Sequence, residues 1–287
     1  MSEYSSFFRL LLSYCTLFRF LFFYRYVRLV GNCIGVLLYK PIQPPENPSV
    51  THRHVTVIVP TLEGHGTQLV DTLRSICFTK RHEIILSTID RNRGRAEETA
   101  RSIKDPQIKV TVTSVRNPSK RHQVAVAIEK VETYIFILAD DDVFWAPCPS
   151  FLRWLLSPFE DPKMRGVATR GPEIWDALND CDGGVPCLSG RTLALRTDMV
   201  KDPAFLEPFV SEKWRSTQLN ADDDNFITRH IIHHRWRMHF QNHPKVEVRT
   251  TLENNPKFLK QCVRWSRSNW RSKFAQLIRL DHLEVSN

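Results

Sequence analysis

The feature that most constrains this chain is a short apolar run, Tyr134-Ile135-Phe136-Ile137-Leu138-Ala139, that ends abruptly in Asp140-Asp141-Asp142. β-Branched and aromatic residues without a breaker read as a buried strand. Three carboxylates crowded at the mouth of such a strand repel one another, and a fold tolerates this when a divalent cation sits among them. In open α/β sheets, ligands bind beyond the carboxyl ends of the strands, which is where this cluster falls. The plain alternative is a solvated acidic turn. A second triplet, Asp222-Asp223-Asp224, weighs against it.

The run is the last of a regular series. Residues 55–60, 83–87, 107–113 and 134–139 read as strands, and residues 68–78, 95–104 and 123–131 read as the helices between them. This βαβαβαβ order predicts an α/β fold with a parallel, doubly wound sheet. No Gly-x-Gly-x-x-Gly or Gly-Lys-Ser/Thr element occurs, so neither a dinucleotide fingerprint nor a P-loop is present. Beyond the aspartates the regularity weakens. Helices are expected over 149–156 and 225–234, strands over 166–169 and 246–251, a loop over 171–192, and a long helix over 256–279.

The net charge of +9 points to an anionic partner: nucleic acid, a phosphorylated substrate or membrane headgroups. Seven scattered cysteines, at 15, 33, 77, 148, 181, 187 and 262, form no CxxC pair. They suit neither a disulfide framework nor a zinc site, and imply a reducing compartment. Cys181, Asp182 and Cys187 read as loop residues. His230, His233 and His234 have metal-like spacing but no accompanying glutamate, and read as surface or packing residues.

Four units follow from composition. Residues 1–40 are rich in Phe, Leu and Tyr, interrupted by Arg9, Arg19, Arg25 and Arg28. The longest charge-free run there, Leu29 to Tyr39, has 11 residues, against the roughly 20 a spanning helix needs. A membrane-associated segment is expected, as one spanning helix with snorkelling arginines at most, with a buried helical hairpin as the alternative. Residues 41–53 form a Pro-rich linker. Residues 54–255 form the α/β domain. Residues 256–287 form a basic, aromatic, amphipathic helix suited to a membrane interface.

Pro60-Thr61, Asp90, Lys120-Arg121, Asp140-Asp141-Asp142, Leu188-Ser189-Gly190-Arg191, Asp223-Asp224-Asn225 and Gln261-Cys262-Val263-Arg264-Trp265 occur in this order. Each is weak alone. The ordered set, ending in Gln-x-x-Arg-Trp, resembles the membrane-embedded family 2 glycosyltransferases, the group of hyaluronan, chitin and cellulose synthases, and within them the fungal capsule-type branch. The resemblance covers about residues 55–272.

The resemblance implies a GT-A fold, a UDP-activated sugar donor and inverting transfer to a β-linked polysaccharide. It implies a lipid membrane as a partner, with the catalytic domain facing the cytosol from the plasma membrane or an endomembrane, and no nucleic acid. Carried over position by position, Thr61 and Asp90 would touch uracil and ribose, and Lys120 and Arg121 would stand near the uridine and phosphates. Asp140 and Asp142 would form the D-x-D element that holds Mg²⁺ or Mn²⁺, Asp142 foremost. Asp224 would be the general base, with Asp223 as the alternative. Ser189, Gly190, Gln261, Arg264 and Trp265 would hold the diphosphate and the acceptor. In such relatives the chain continues past Gln-x-x-Arg-Trp into transmembrane helices, so a truncated, short or split enzyme is expected.

Elementary chemistry asks for the same parts. A departing diphosphate carries charge that a divalent ion and an arginine fork can neutralise. Inversion needs a carboxylate to deprotonate the acceptor hydroxyl from the opposite face. A tryptophan supplies a flat apolar surface for a sugar ring. Two competing readings remain from other classes: a non-catalytic membrane scaffold, and two-metal chemistry on nucleic acid.

Overall fold

The computed structural model describes residues 2–79, 83–103, 105–106, 108–169, 187–188, 191–251 and 256–284. α1 (Ser2–Leu38) belongs to one compact unit, and the elements from β1 onward belong to another.

In the second unit the described strands are β1 (Val55–Pro60), β2 (Glu83–Ile89), β3 (Val110–Val115), β4 (Ile135–Ala139), β5 (Val143–Trp145), β6 (Met164–Thr169), β7 (Thr192–Arg196), β8 (Lys213–Trp214), β9 (Thr217–Gln218), β10 (Arg237–Gln241) and β11 (Val248–Thr250). The helices are α2 (Thr67–Cys77), α3 (Arg93–Ser102), α4 (Lys120–Lys130), α5 (Phe151–Leu156), α6 (Thr197–Val200), α7 (Pro203–Ser211), α8 (Asp223–His233) and α9 (Lys257–Glu284).

Among the described residues the main sheet runs β10-β6-β7-β4-β1-β2-β3. β1 pairs in parallel with β2 and β4, and β2 with β3. The sheet is nevertheless mixed and not wholly parallel as expected, because β7 lies antiparallel between β4 and β6.

The parallel half is buried on both faces, which explains its near-continuous apolar strands. Alternate residues serve opposite cores. Val55, Val57 and Val59 of β1 and Ile135 and Ile137 of β4 pack with Leu69, Leu73 and Ile76 of α2 and with α5. Ile58, Phe136 and Leu138 face the other way, onto Val124 and Ile128 of α4 and the phenylalanines of α7 and α8. Leu73 is fully buried, so Leu73→Ala costs about 2–5 kcal/mol.

The Pro-rich stretch forms a strap across this unit. Gln241 donates to the Ile42 carbonyl at 2.6 Å and accepts from the Ile42 amide at 3.1 Å. Glu160 accepts from the Ser49 amide at 2.9 Å and from its hydroxyl at 2.6 Å.

α1 is 37 residues long, enough to exceed a bilayer core at about 1.5 Å per residue. Its four arginines break the apolar run, and among the described residues no helix is long and apolar enough to cross a membrane. The spanning helix allowed for residues 1–40 is therefore not found. Rings at helical spacing meet along α1, with Phe22 and Tyr26 tilted at 4.5 Å between centroids, and Phe18, Phe20 and Phe23 stay exposed.

Candidate active site

The carboxyl ends of the parallel strands deliver the expected residues to one edge. Thr61 follows β1, Asp90 follows β2, and the first aspartate triplet follows β4. Thr61 is buried, and its main chain is fixed by the Ser87 carbonyl at 2.8 Å and the Gln123 side chain at 2.8 Å. The turn after it needs a glycine. Gly64 has φ +70°, and a Cβ there would meet the Asn92 carbonyl at 3.1 Å. Asp90 is exposed and accepts from the Ser114 hydroxyl at 2.6 Å.

Each carboxylate of the first triplet meets a different neighbour. Asp140 takes the Lys120 ammonium at 2.8 Å. Asp141 accepts from the Thr61 hydroxyl, and its own carbonyl takes the Thr72 hydroxyl at 3.0 Å. Asp142 accepts from Thr250 Oγ1 at 3.2 Å, because β11 pairs antiparallel with β5 and sets Thr250 opposite Val143. Burial, and then the neighbouring aspartates, hold the Asp141 and Asp142 carboxyls above the ordinary range, against the hydroxyl bonds from Thr61 and Thr250.

The second triplet opens α8. Asp222 is the N-cap residue in a left-handed conformation, φ +63°. Its side chain makes no capping bond and pairs instead with Arg271, with Arg264 3.9 Å away. Asp223 and Asp224 lie in the first turn, where the helix dipole favours negative charge. Asp223 is buried and lies 3.2 Å from the Lys120 ammonium. Asp224 accepts from the Asn225 amide at 2.8 Å. Burial and the Asp223 charge push its carboxyl up to about 6, against Lys120 and the Asn225 amide.

Lys120 therefore joins the two acidic clusters. It sits in the first turn of α4, where a cation opposes the helix dipole. Burial disfavours its charge, yet Asp140, Asp223 and Asp224 outweigh burial and hold the ammonium well above the ordinary lysine value. Arg121, expected near the uridine and phosphates, points into the protein instead and is 1% exposed. Its guanidinium donates to the carbonyls of Ala221, Phe209 and Asp222 at 2.8, 3.0 and 3.1 Å and pairs with Glu212 at 2.8 Å.

α9 brings the Gln-x-x-Arg-Trp residues to the start of α8. Asn225 donates to the Ser268 hydroxyl at 3.1 Å. Gln261 is exposed, Arg264 is about half exposed and Trp265 is partly buried. Arg264, Arg267 and Arg271 line a groove of about 460 Å³ with Asp222. Ser189 and Gly190 lie outside the described residues, as do Cys181 and Asp182.

Two residues that sequence reasoning passed over adjoin the clusters. Thr250 reaches Asp142 from 108 positions away, with no local signal. Cys187 was read as a loop residue; burial, and then the Asp224 charge, push its thiol well above the ordinary value. The histidines pack as rings, with His230 against His234 at 4.3 Å and His234 against Trp236 at 4.5 Å.

Among the described residues no group of three or more His, Cys, Asp or Glu side chains is placed to hold a metal ion. Asp140 and Asp142 still fit a hard divalent cation of the kind held by one or two carboxylates plus substrate phosphates. Asp142 has no ion pair among the described residues and carries a carboxyl whose charge its surroundings disfavour.

Residues 52–180 and 175–268 match the model of the family described as glycosyltransferase like family 2. The chain belongs to this glycosyltransferase family. It is 45% identical over 278 residues to a type 2 glycosyltransferase of Zymoseptoria tritici, covering 89% of this chain and 58% of that one. It is 39% identical over 294 residues to a type 2 glycosyltransferase of Pyricularia oryzae, covering 93% and 60%. The chain thus spans well under two thirds of the length of these relatives. Its fold is similar to that of a Pyrobaculum calidifontis mannosyltransferase solved with GDP-mannose and Mn²⁺, at a TM-score of 0.66 and 19% identity, covering 88% of this chain and 72% of that one. It is also similar to a Mycobacterium tuberculosis glucosyl-3-phosphoglycerate synthase solved with Mn²⁺, UDP and phosphoglyceric acid, at a TM-score of 0.51 and 16% identity, covering 82% and 86%.

Proposed function

We propose that this chain carries the catalytic domain of an inverting transferase that moves a sugar from a UDP-sugar to a hydroxyl at the end of a β-linked polysaccharide. The observation that carries the reading is Lys120, whose single ammonium lies 2.8 Å from Asp140 and 3.2 Å from Asp223 and so ties both acidic clusters to one mouth. Thr61 and Asp90 stand where a nucleoside can lie across the ends of β1 and β2. Solved relatives of the fold carry GDP-mannose or UDP together with Mn²⁺, which supports a nucleotide-sugar donor and a divalent ion here.

Asp140 and Asp142 would hold Mg²⁺ or Mn²⁺, which when bound neutralises the departing diphosphate. Lys120 adds a fixed cation to the same mouth. Asp224 takes the proton from the acceptor hydroxyl as the new glycosidic bond forms. A carboxyl pushed up to about 6 suits this task, because a base works best with a pKa near the operating pH. Arg264 and Trp265, on α9, hold the diphosphate and the acceptor ring. Exposed aromatics on α1, and Leu259, Val263 and Trp270 on α9, support association with a membrane surface on the cytosolic side.

The test is UDP release from a panel of UDP-sugars with Mn²⁺ or Mg²⁺, comparing wild type with Asp142→Asn and Asp224→Asn. Turnover with one donor, sharply reduced in both variants at moderate metal concentration, is the expected result. Absence of metal-dependent UDP binding sinks the reading.

A further inference from the structure

Lys120 and Arg121 are consecutive, yet they act in different places. Lys120 reaches the carboxylates themselves. Arg121 reaches the peptide groups just before them: its Nε donates to the Ala221 carbonyl at 2.8 Å and its Nη2 to the Asp222 carbonyl at 3.1 Å. We infer that Arg121 is a positioning residue, whose buried guanidinium fixes the backbone that leads into α8 and so sets where Asp224 points. The inference rests on the transferase reading above.

The entry to α8 has an unusual need for such a hold. An N-cap aspartate ordinarily accepts an amide of its own first turn, which anchors the chain direction. Asp222 makes no such bond, because its carboxylate is committed to Arg271 and Arg264. It also sits in the left-handed region without being glycine, a conformation that persists only where the surroundings over-determine it. Arg121 supplies that constraint from the carbonyl side. The α4 backbone adds to it, since the Arg121 amide donates to the Asn220 carbonyl at 3.4 Å.

The guanidinium itself cannot drift. It packs against the rings of Phe209 and Phe226, 5.5 and 5.4 Å from their centroids. Glu212 neutralises it at 2.8 Å and is itself held by Arg229. Three carbonyls and a carboxylate around one planar fork is a geometry that a lysine ammonium cannot reproduce. At 1% exposure Arg121 cannot touch a donor in the mouth, so it acts only through the segment it holds.

The experiment uses the full chain as Arg121→Lys and Arg121→Met, each assayed well below its melting temperature. UDP affinity, donor KM, kcat and Tm are measured for both. The expected result is a fall in kcat of about 100-fold, the scale of a small misplacement of a reacting group, with UDP affinity and donor KM within about two-fold of wild type. Arg121→Lys keeps a charge for Glu212 and recovers much of the Tm, but not kcat. Should Arg121→Met fail to fold, Arg121→Lys decides alone. A loss of UDP affinity of about ten-fold or more would make Arg121 a donor ligand and overturn the inference. A folded Arg121→Lys with wild-type kcat would reduce it to scaffold and overturn it equally. Absence of donor turnover in the wild type overturns the transferase reading and this inference together, whereas wild-type turnover with an unaffected Arg121→Lys overturns the inference alone.

Discussion

The two aspartate triplets are identical in sequence and opposite in circumstance. Asp140-Asp141-Asp142 follows a strand, and its carboxylates meet Lys120, the Thr61 hydroxyl and the Thr250 hydroxyl in turn. That is a set of oxygens held in place and still available to a cation. Asp222-Asp223-Asp224 opens a helix, where Arg271 takes the first carboxylate and Lys120 reaches the second. The third accepts from the Asn225 amide and has a raised affinity for protons. Partners, not residue type, separate a cluster suited to a metal from one suited to a proton.

The sharpest way to break this contrast is Asp224→Asn. If the second triplet handles the proton, kcat falls by about 10²–10⁴-fold, the usual contribution of a general base, while UDP affinity is kept. Asp142→Asn should do the reverse: steady-state kinetics at rising Mn²⁺ should show a metal requirement increased by at least the roughly 10–100-fold that loss of an outer-shell partner causes, with part of the activity restored at saturation. Equal loss of metal response in both variants would erase the distinction.

The pH profile follows from the direction of the Asp224 shift. The base works as a carboxylate, so kcat should rise with pH and level off above about 6, not above the ordinary aspartate value near 4. Lys120 lowers the Asp224 carboxyl, so Lys120→Met should move that limb to higher pH. A limb that stays put would mean that Lys120 serves the first triplet alone.

The smallest expected effect is on stability. A carboxyl raised in the folded state binds protons more tightly there than in the unfolded chain. Stability is then fully present below the unfolded value and lost as pH rises through about 6. Asp224→Asn should therefore raise Tm at neutral pH by about 2–4 °C, the shift that about 1 kcal/mol gives in a domain of this size, and by less at pH 4.

The α/β alternation was legible because strands buried on both faces leave uninterrupted apolar runs, and β1, β2 and β4 fall within two residues of their expected bounds. In the mixed part, β6 was expected, whereas β7 and β10 were not. β7 contains Arg196 and β10 contains Arg237 and His239, so neither is an uninterrupted apolar run. Arg196 is in fact buried, with its guanidinium on the carbonyls of Met164, Phe159 and Asp161. Arg121 misled the reading in the same way, because charge in a sequence suggests solvent or ligand and gives no sign of a carbonyl cage 100 residues away. At the site, the acidic clusters and Lys120 were visible as letters. Thr250 was not, because strand pairing alone sets it beside Asp142.

Lys120 is one counter-ion shared between Asp140 of the first cluster and Asp223 of the second. Their occupancies are therefore linked and reciprocal. A ligand that draws Asp140 away from the ammonium leaves more of that charge to Asp223 and Asp224, and so lowers their affinity for a proton. By the same linkage, protonating the second cluster must change the affinity of the first for that ligand by an equal factor. On the proposed reading, loading the donor and arming the base become a single equilibrium, read at either end.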